Sequence, residues 1–286
     1  MQGLERASYS LGFSPCPNDT YIFDALLQGR LSLPVALRPC ITDVEELNQL
    51  AARRSLDITK TSLHAWFHLL DQYQLLPSGA ALGRGCGPLL ISKTGQPLTQ
   101  GRVALPGAWT TASLLFGMAL PGEFEIVQMP FDRIMPALAA GEVDAGVIIH
   151  ESRFTYAGLG LKLVLDLGQW WEEYSKLPLP LGGILVARDL PEAVKVQWGG
   201  WIQESILFAK SHPEAPKAFI QAHAQEMSPA VQAAHIELYV NEFSLNLGAV
   251  GRAAVQALYQ AAQDKGLLPG TPANLNGCLV NPVQPT

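Results

Sequence analysis

Along this chain, short apolar runs that suit buried strands alternate with stretches whose apolar residues recur at helical spacing. Tyr9–Phe13 alternates in the manner of a strand and then meets Ser14-Pro15-Cys16-Pro17-Asn18-Asp19-Thr20, where two prolines stop any ladder. That segment reads as a loop opening a helix over Tyr21–Gln28, with Gly29 as its C′ residue. Asp43-Val44-Glu45-Glu46 has the form of a capping box, and the helix behind it carries the apolar stripe Val44, Leu47, Leu50 and Ala51, with Asn48 bordering the inward face. A strand is expected at Leu56–Lys60, a helix capped by Ser62 and running to Leu70, and a strand at Pro88–Ser92 after the glycine-rich turn Gly83–Gly87.

From Arg102 the rhythm restarts. Strands are expected at 102–105, 125–129 and 143–149, with helices from Thr111 or Ala112 and over Asp132–Ala140, the latter ended by Gly141. Strands alternating with helices at this spacing imply βαβ units and parallel sheets. LAARRSLDITKTS (50–62) and LAAGEVDAGVIIH (138–150) share a shape: a helix end, an aspartate, a strand, then polar residues. Two similarly built lobes would produce that likeness, and so would coincidence. The proline- and glycine-rich segment Leu177–Gly183 reads as a return crossing, followed by helices over 193–210, 216–227, 231–239 and 250–265 and an irregular strap from Leu268 to Thr286. The expected organisation is therefore lobe I from residues 1–94 plus 184–286, with lobe II, 95–183, inserted between its halves.

The chain's 286 residues can bury a large core. Hydrophobic residues make up 48% and charged ones 15%, below the roughly 25% of an average soluble protein, so disorder is not expected. A net charge of −6 without any basic run leaves no electrostatic footprint for nucleic acid or an anionic membrane, which makes a small molecule the expected partner. Met1–Ser10 includes Glu5 and Arg6 and lacks an apolar h-region, and no apolar run approaches spanning length, so neither a secretory leader nor a membrane span is expected. Cys16, Cys40, Cys86 and Cys278 form no CxxC pair, and the expectation is reduced thiols in a cytoplasmic protein.

Ligands of open α/β sheets bind beyond the carboxyl ends of the strands, which selects Lys60, Thr61 and Ser62 in one lobe and Thr110, Thr111 and His150 in the other. His150 ends the apolar run Gly146–Ile149, and an imidazole at a strand end facing a cleft is suited to general base catalysis, although most single histidines are structural. Thr111 and Ala112 open a helix whose free amides would hold a carboxylate or phosphate; an ordinary N-cap threonine explains the same residues. Ser62 carries the same two readings. His64 and His68 at i, i+4 with Asp71 resemble a metal-binding face, but no glutamate adjoins the first histidine and no Cys/His cluster accompanies them, so helix packing is preferred and no metal is expected. Gly83–Gly87 precedes a strand rather than a helix, which excludes a dinucleotide fingerprint, and neither a P-loop nor a G-x-S-x-G elbow occurs.

SPCPNDT (14–20), DVEELN (43–48), SGAALGRGCGPLL (78–90), PGAWTTA (106–112), GEVDAGVIIHESRFTY (141–156), DLGQWWE (166–172) and PLPLGG (178–183) together resemble the 1,4-dihydroxy-6-naphthoate synthase family of the futalosine route to menaquinone, from about Ser14 to Gly248. Departures are small: Tyr21 stands where phenylalanine is common and Thr61 where an aliphatic residue is common. The resemblance implies an α/β, two-lobed, type II periplasmic-binding-protein-like fold with mixed, mainly parallel sheets flanked by helices and a ligand cleft between the lobes. It implies a cofactor-free lyase that converts cyclic dehypoxanthine futalosine into the naphthoate, with His150 as base and Lys60, Thr61, Ser62, Thr111, Ala112 and, at the pocket wall, Asn48 as substrate contacts. A solute receptor and a chorismate dehydratase share the scaffold; the VIIHE and TTA segments together favour the synthase family.

Overall fold

A computed structural model describes residues 6–225, 228–270 and 274–282, which form two mixed β-sheets flanked by helices. The chain begins with β1 (Ser8–Phe13), α1 (Pro17–Leu27), β2 (Ala36–Ile41), α2 (Val44–Ala52), β3 (Ile58–Ser62), α3 (Leu63–Phe67), β4 (Tyr73–Leu75) and β5 (Ala81–Gly83). It then crosses into a second sheet with β6 (Leu89–Ser92), β7 (Gln100–Leu105), α4 (Thr111–Ala119), β8 (Glu123–Gln128), α5 (Phe131–Ala140), β9 (Ala145–Ile148), α6 (Ser152–Thr155), β10 (Lys162–Asp166) and α7 (Leu167–Ser175). It returns through β11 (Leu179–Ala187) and finishes with α8 (Glu192–Ser211), α9 (Lys217–His223), α10 (Pro229–Tyr239), α11 (Glu242–Leu245) and α12 (Gly248–Asp264).

The first sheet has the order β2-β1-β3-β11-β4, with β5 also paired to β11; β1 runs parallel to β2 and β3, and β11 is antiparallel to its neighbours. The second has the order β10-β6-β9-β7-β8, with β7 parallel to β8 and β9, and β6 antiparallel to β9 and β10. Antiparallel pairing enters where the chain changes sheets, at β6 and β11. Leu89–Ser92 thus stands in the second sheet, ahead of the boundary expected at 94, and β11 lies wholly in the first sheet although the expected boundary falls inside it at 183/184.

The first crossing segment meets the start of α7 at Gly87 and Gly168. A Cβ on Gly87 would collide with the Gly168 backbone, so only glycine permits this approach. One apolar cluster is continuous from sheet to sheet: Trp66, Tyr73 and Leu185 belong to it with Val103, Leu115 and Trp171, and α12 covers it with Leu258 and Tyr259. A second cluster, around Phe13, Phe23 and Trp198, fills the first sheet's other face, and a third, around Ile91, Ile134 and Ile148, that of the second.

Four local expectations are corrected. Helix α1 starts at Pro17 rather than Tyr21, because proline at N1 gives up an amide that has no helical acceptor, and the Thr20 amide already donates to the Cys16 carbonyl at 3.0 Å. Strand β2 was not expected: it is a half-exposed edge with no apolar run, and Pro39 is tolerated there because an edge leaves one side unpaired. Strand β3 begins at Ile58, so Lys60–Ser62 form its end instead of following it. Helix α3 stops at Phe67 rather than Leu70, and Ser62 at its N-cap makes no side-chain cap. By contrast Asp43 caps α2, though through the Glu45 amide and without the reciprocal bond of a capping box, since Glu46 pairs with Arg53, and Gly141 closes α5 in the left-handed conformation (φ 77°), as expected. The expected helix end at Met227 and the parts of the strap at 271–273 and 283–286 lie outside the described residues, as do residues 1–5.

Candidate active site

A cavity lies between the sheets and is lined by residues of both, the place where two-layered α/β folds hold small molecules. β3 supplies Lys60, Thr61 and Ser62, the start of α4 supplies Thr111 and Ala112, and the residue after β9 and Ile149 is His150. Six of the seven expected site residues therefore meet at one cavity. The seventh, Asn48, does not line it: its Oδ1 accepts the Ser62 amide at 3.0 Å and its Nδ2 donates to Glu45 at 3.1 Å, which places it behind Ser62 as a support.

Lys60 is buried with its charge paired. Its ammonium donates to Asp19 Oδ1 at 2.7 Å and to the Gly79 carbonyl at 3.3 Å, and Asp19 also accepts from Asn18 and from the Ser14 amide and hydroxyl. A buried charge is tolerable only with such partners. Thr61 differs, because its buried hydroxyl has no partner among the described residues, and the residue lines the cavity.

At α4 the cap is Thr110, not Thr111: the Thr110 hydroxyl accepts the Ser113 amide at 3.2 Å. The Thr111 and Ala112 amides, as the first two of the helix, have no helical acceptor and stand at the positive end of the dipole, a fitting place for an anion. The Thr111 hydroxyl donates to the Leu181 carbonyl of β11 at 2.6 Å, which ties this helix start to the opposite sheet.

His150 adopts φ 54°, in the left-handed region that costs a residue with a side chain about 1–2 kcal/mol. Its Nε2 is buried without a hydrogen-bond partner, and its ring sits edge-on to Phe131 at 4.9 Å. Across the cavity, at 6.3 Å between ring centroids, stands His235 from α10, 1% exposed and unpartnered at both ring nitrogens. Each such unsatisfied group costs roughly 1–3 kcal/mol. Burial, and then the neighbouring His150 and the cations Lys60 and Arg153, push the His235 pKa well below its ordinary value. Sequence reasoning missed this residue, since a single histidine on an otherwise apolar helix face reads as packing.

The His64–His68–Asp71 face does not converge on one point. His64 Nδ1 meets the Thr110 carbonyl at 3.1 Å and its Nε2 meets His68 Nε2 at 3.4 Å, while Asp71 points to Arg54. Among the described residues, Cys16, His150 and Glu151 are the group whose ligand atoms lie within 4.8 Å of one another. Burial and the nearby Glu151 carboxylate push the Cys16 thiol well up, so it is protonated, and its Sγ–H donates to Glu151 at 4.0 Å. In this state Cys16 and Glu151 are a hydrogen-bonded pair, and His150 stands beside them without a bond to either. Burial likewise holds the Cys86 thiol up at about 12, making it a small wall residue and no nucleophile.

Fold and site together define a two-lobed, periplasmic-binding-protein-like scaffold with a histidine-bearing cleft. The sulphonate-binding protein SsuA of Escherichia coli shares that fold at a TM-score of 0.67, with 14% identity over 99% of this chain and 94% of its own. The chain belongs to the menaquinone biosynthesis family of enzymes, whose model matches residues 9–264. It is 48% identical over 266 residues to a 1,4-dihydroxy-6-naphthoate synthase of Thermus thermophilus, covering 93% of this chain and 97% of that one. A synthase of the same name from Streptomyces coelicolor is 44% identical, covering 93% and 96%. A crystal structure of an Archaeoglobus fulgidus protein superposes with a TM-score of 0.88 at 36% identity, covering 92% of this chain and all of that one. Among the described residues, no helix is long and apolar enough to cross a membrane.

Proposed function

We propose that this protein is a carbon–carbon lyase that converts cyclic dehypoxanthine futalosine into 1,4-dihydroxy-6-naphthoate, with His150 as general base. The observation that carries this reading is the His150 ring, whose buried, unpartnered Nε2 shares one cavity with the free Thr111 and Ala112 amides. The substrate carboxylate is held at the α4 start, where amides and dipole favour an anion. Thr61, with a hydroxyl free to bond, and Ser62 hold the sugar-derived portion. His150 then removes a carbon-bound proton from that portion, and the electron pair left behind drives carbon–carbon cleavage and aromatisation. General base catalysis contributes about 10²- to 10⁴-fold, and the apolar cleft excludes water from the reacting carbons. The mechanism draws on acid–base groups alone and calls for no metal or organic cofactor. We place it in the cytoplasm, in keeping with four free cysteines, and divide the lobes where the sheets change, at residues 84–88 and 176–178.

Incubating the purified protein with cyclic dehypoxanthine futalosine tests the reading. Mass spectrometry should reveal the naphthoate; tight binding of the substrate without turnover would point to a receptor instead.

A further inference from the structure

The chemistry proposed above uses one of two histidines that face each other. His235 comes from α10 and lines the cavity with both ring nitrogens unpartnered, although it is almost wholly buried. Among the described residues nothing hydrogen-bonds either ring nitrogen. A buried polar group kept without a protein partner is explained when a ligand supplies one. The titratable and charged groups around it are His150 and Arg153 from the second sheet's side and Lys60 and Tyr239 from the first. Burial, reinforced by the cations Lys60 and Arg153, keeps this imidazole neutral, with one N–H to donate and one nitrogen to accept.

The product carries two ring hydroxyls. When a base takes a carbon-bound proton and the ring moves towards aromaticity, negative charge gathers on a ring oxygen, and a preorganised donor there lowers the barrier. We propose that His235 is a second catalytic residue, a neutral imidazole that donates its N–H to a ring oxygen of the substrate while His150 takes the proton from carbon. In this step the C–H bond breaks and an N–H bond forms at His150 Nε2. The electron pair passes into the ring and onto the oxygen, and His235 keeps its own proton in a strengthened hydrogen bond. A neutral imidazole suits this task because its N–H stays in place throughout, as in other enzymes that polarise a carbonyl with uncharged histidine.

This inference rests on the proposed reaction, and its test separates the two. His235→Phe removes the donor while filling the space with an apolar ring; kcat should fall about 10²- to 10³-fold with KM changed less than about threefold, and the melting temperature should hold or rise. His235→Asn restores an N–H donor and should recover kcat to within about tenfold of the wild type. A purely structural histidine would give the opposite order, with Phe active and Asn unstable. A His235→Phe enzyme whose kcat stays within threefold of an active wild type overturns the proposal. Should the wild type leave the substrate unchanged, the reaction assignment falls, and ¹⁵N NMR of the histidine rings with added 1,4-dihydroxy-6-naphthoate then judges His235 by itself. Ring signals of His235 that move on binding of the naphthoate, with the ring remaining neutral, support the contact; unmoved signals under saturation reject it.

Discussion

The molecule contains two pairs of neighbouring histidines, and they are opposites. His64 and His68 are four residues apart on one short stretch, and each has company: His64 bonds the Thr110 carbonyl and His68, and His68 stacks on Trp109 at 5.1 Å. His150 and His235 come from different sheets' ends of the chain, and three of their four ring nitrogens are buried without a partner. A satisfied pair stabilises a fold; an unsatisfied one is held ready for something that arrives later. Sequence spacing drew attention to the first pair, whereas tertiary structure alone assembles the second.

Substitutions can break or sharpen that contrast. The largest effect is expected from His150→Asn, which should lower kcat about 10²- to 10⁴-fold in steady-state assays while thermal unfolding stays near that of the wild type. Next comes Lys60→Met, because it strands the buried Asp19 carboxylate. Urea titration should show a loss of about 3–5 kcal/mol, and Asp19→Asn in the same chain should return part of it.

The satisfied pair has a pH signature. Burial, followed by the charge of His68, lowers the His64 pKa to about 4, while an unfolded histidine titrates near 6.5. Between those values the unfolded chain binds more protons, so stability present above pH 6.5 is lost as pH falls towards 4. From pH 7 to pH 5 this amounts to about 2 kcal/mol, and His64→Leu should remove that portion of the slope in urea titrations at the two pH values. The smallest effect belongs to Thr61→Val, which keeps shape and deletes an unpartnered hydroxyl: KM should rise about 3- to 10-fold with no loss of melting temperature.

Much of the scaffold was legible because its signals are local. Asp43 as a cap, Gly141 as a helix stop and the apolar run Gly146–Ile149 state their roles within a few residues of chain. Strand β2 was hidden because an edge strand draws its stability from a partner, here β1, and needs no apolar run of its own. The start of α1 was hidden because Pro17 reads as a breaker anywhere except at N1. In the site, strand-end logic led to Lys60, Thr61, Ser62 and His150, since sheet topology alone determines that address. Asn48 proved to be one layer further back because α2 packs behind the end of β3, and His235 was invisible because its neighbours are set only after the chain has crossed between sheets twice.

The contact of Gly87 with Gly168 gives that crossing mechanical weight. Cys86 and Pro88, on either side of Gly87, are part of the cavity's floor, so one tripeptide serves as both fulcrum and flooring. A single methyl group added at residue 87 would act as a wedge against the start of α7 and displace the floor, although the altered residue never touches what lies on it.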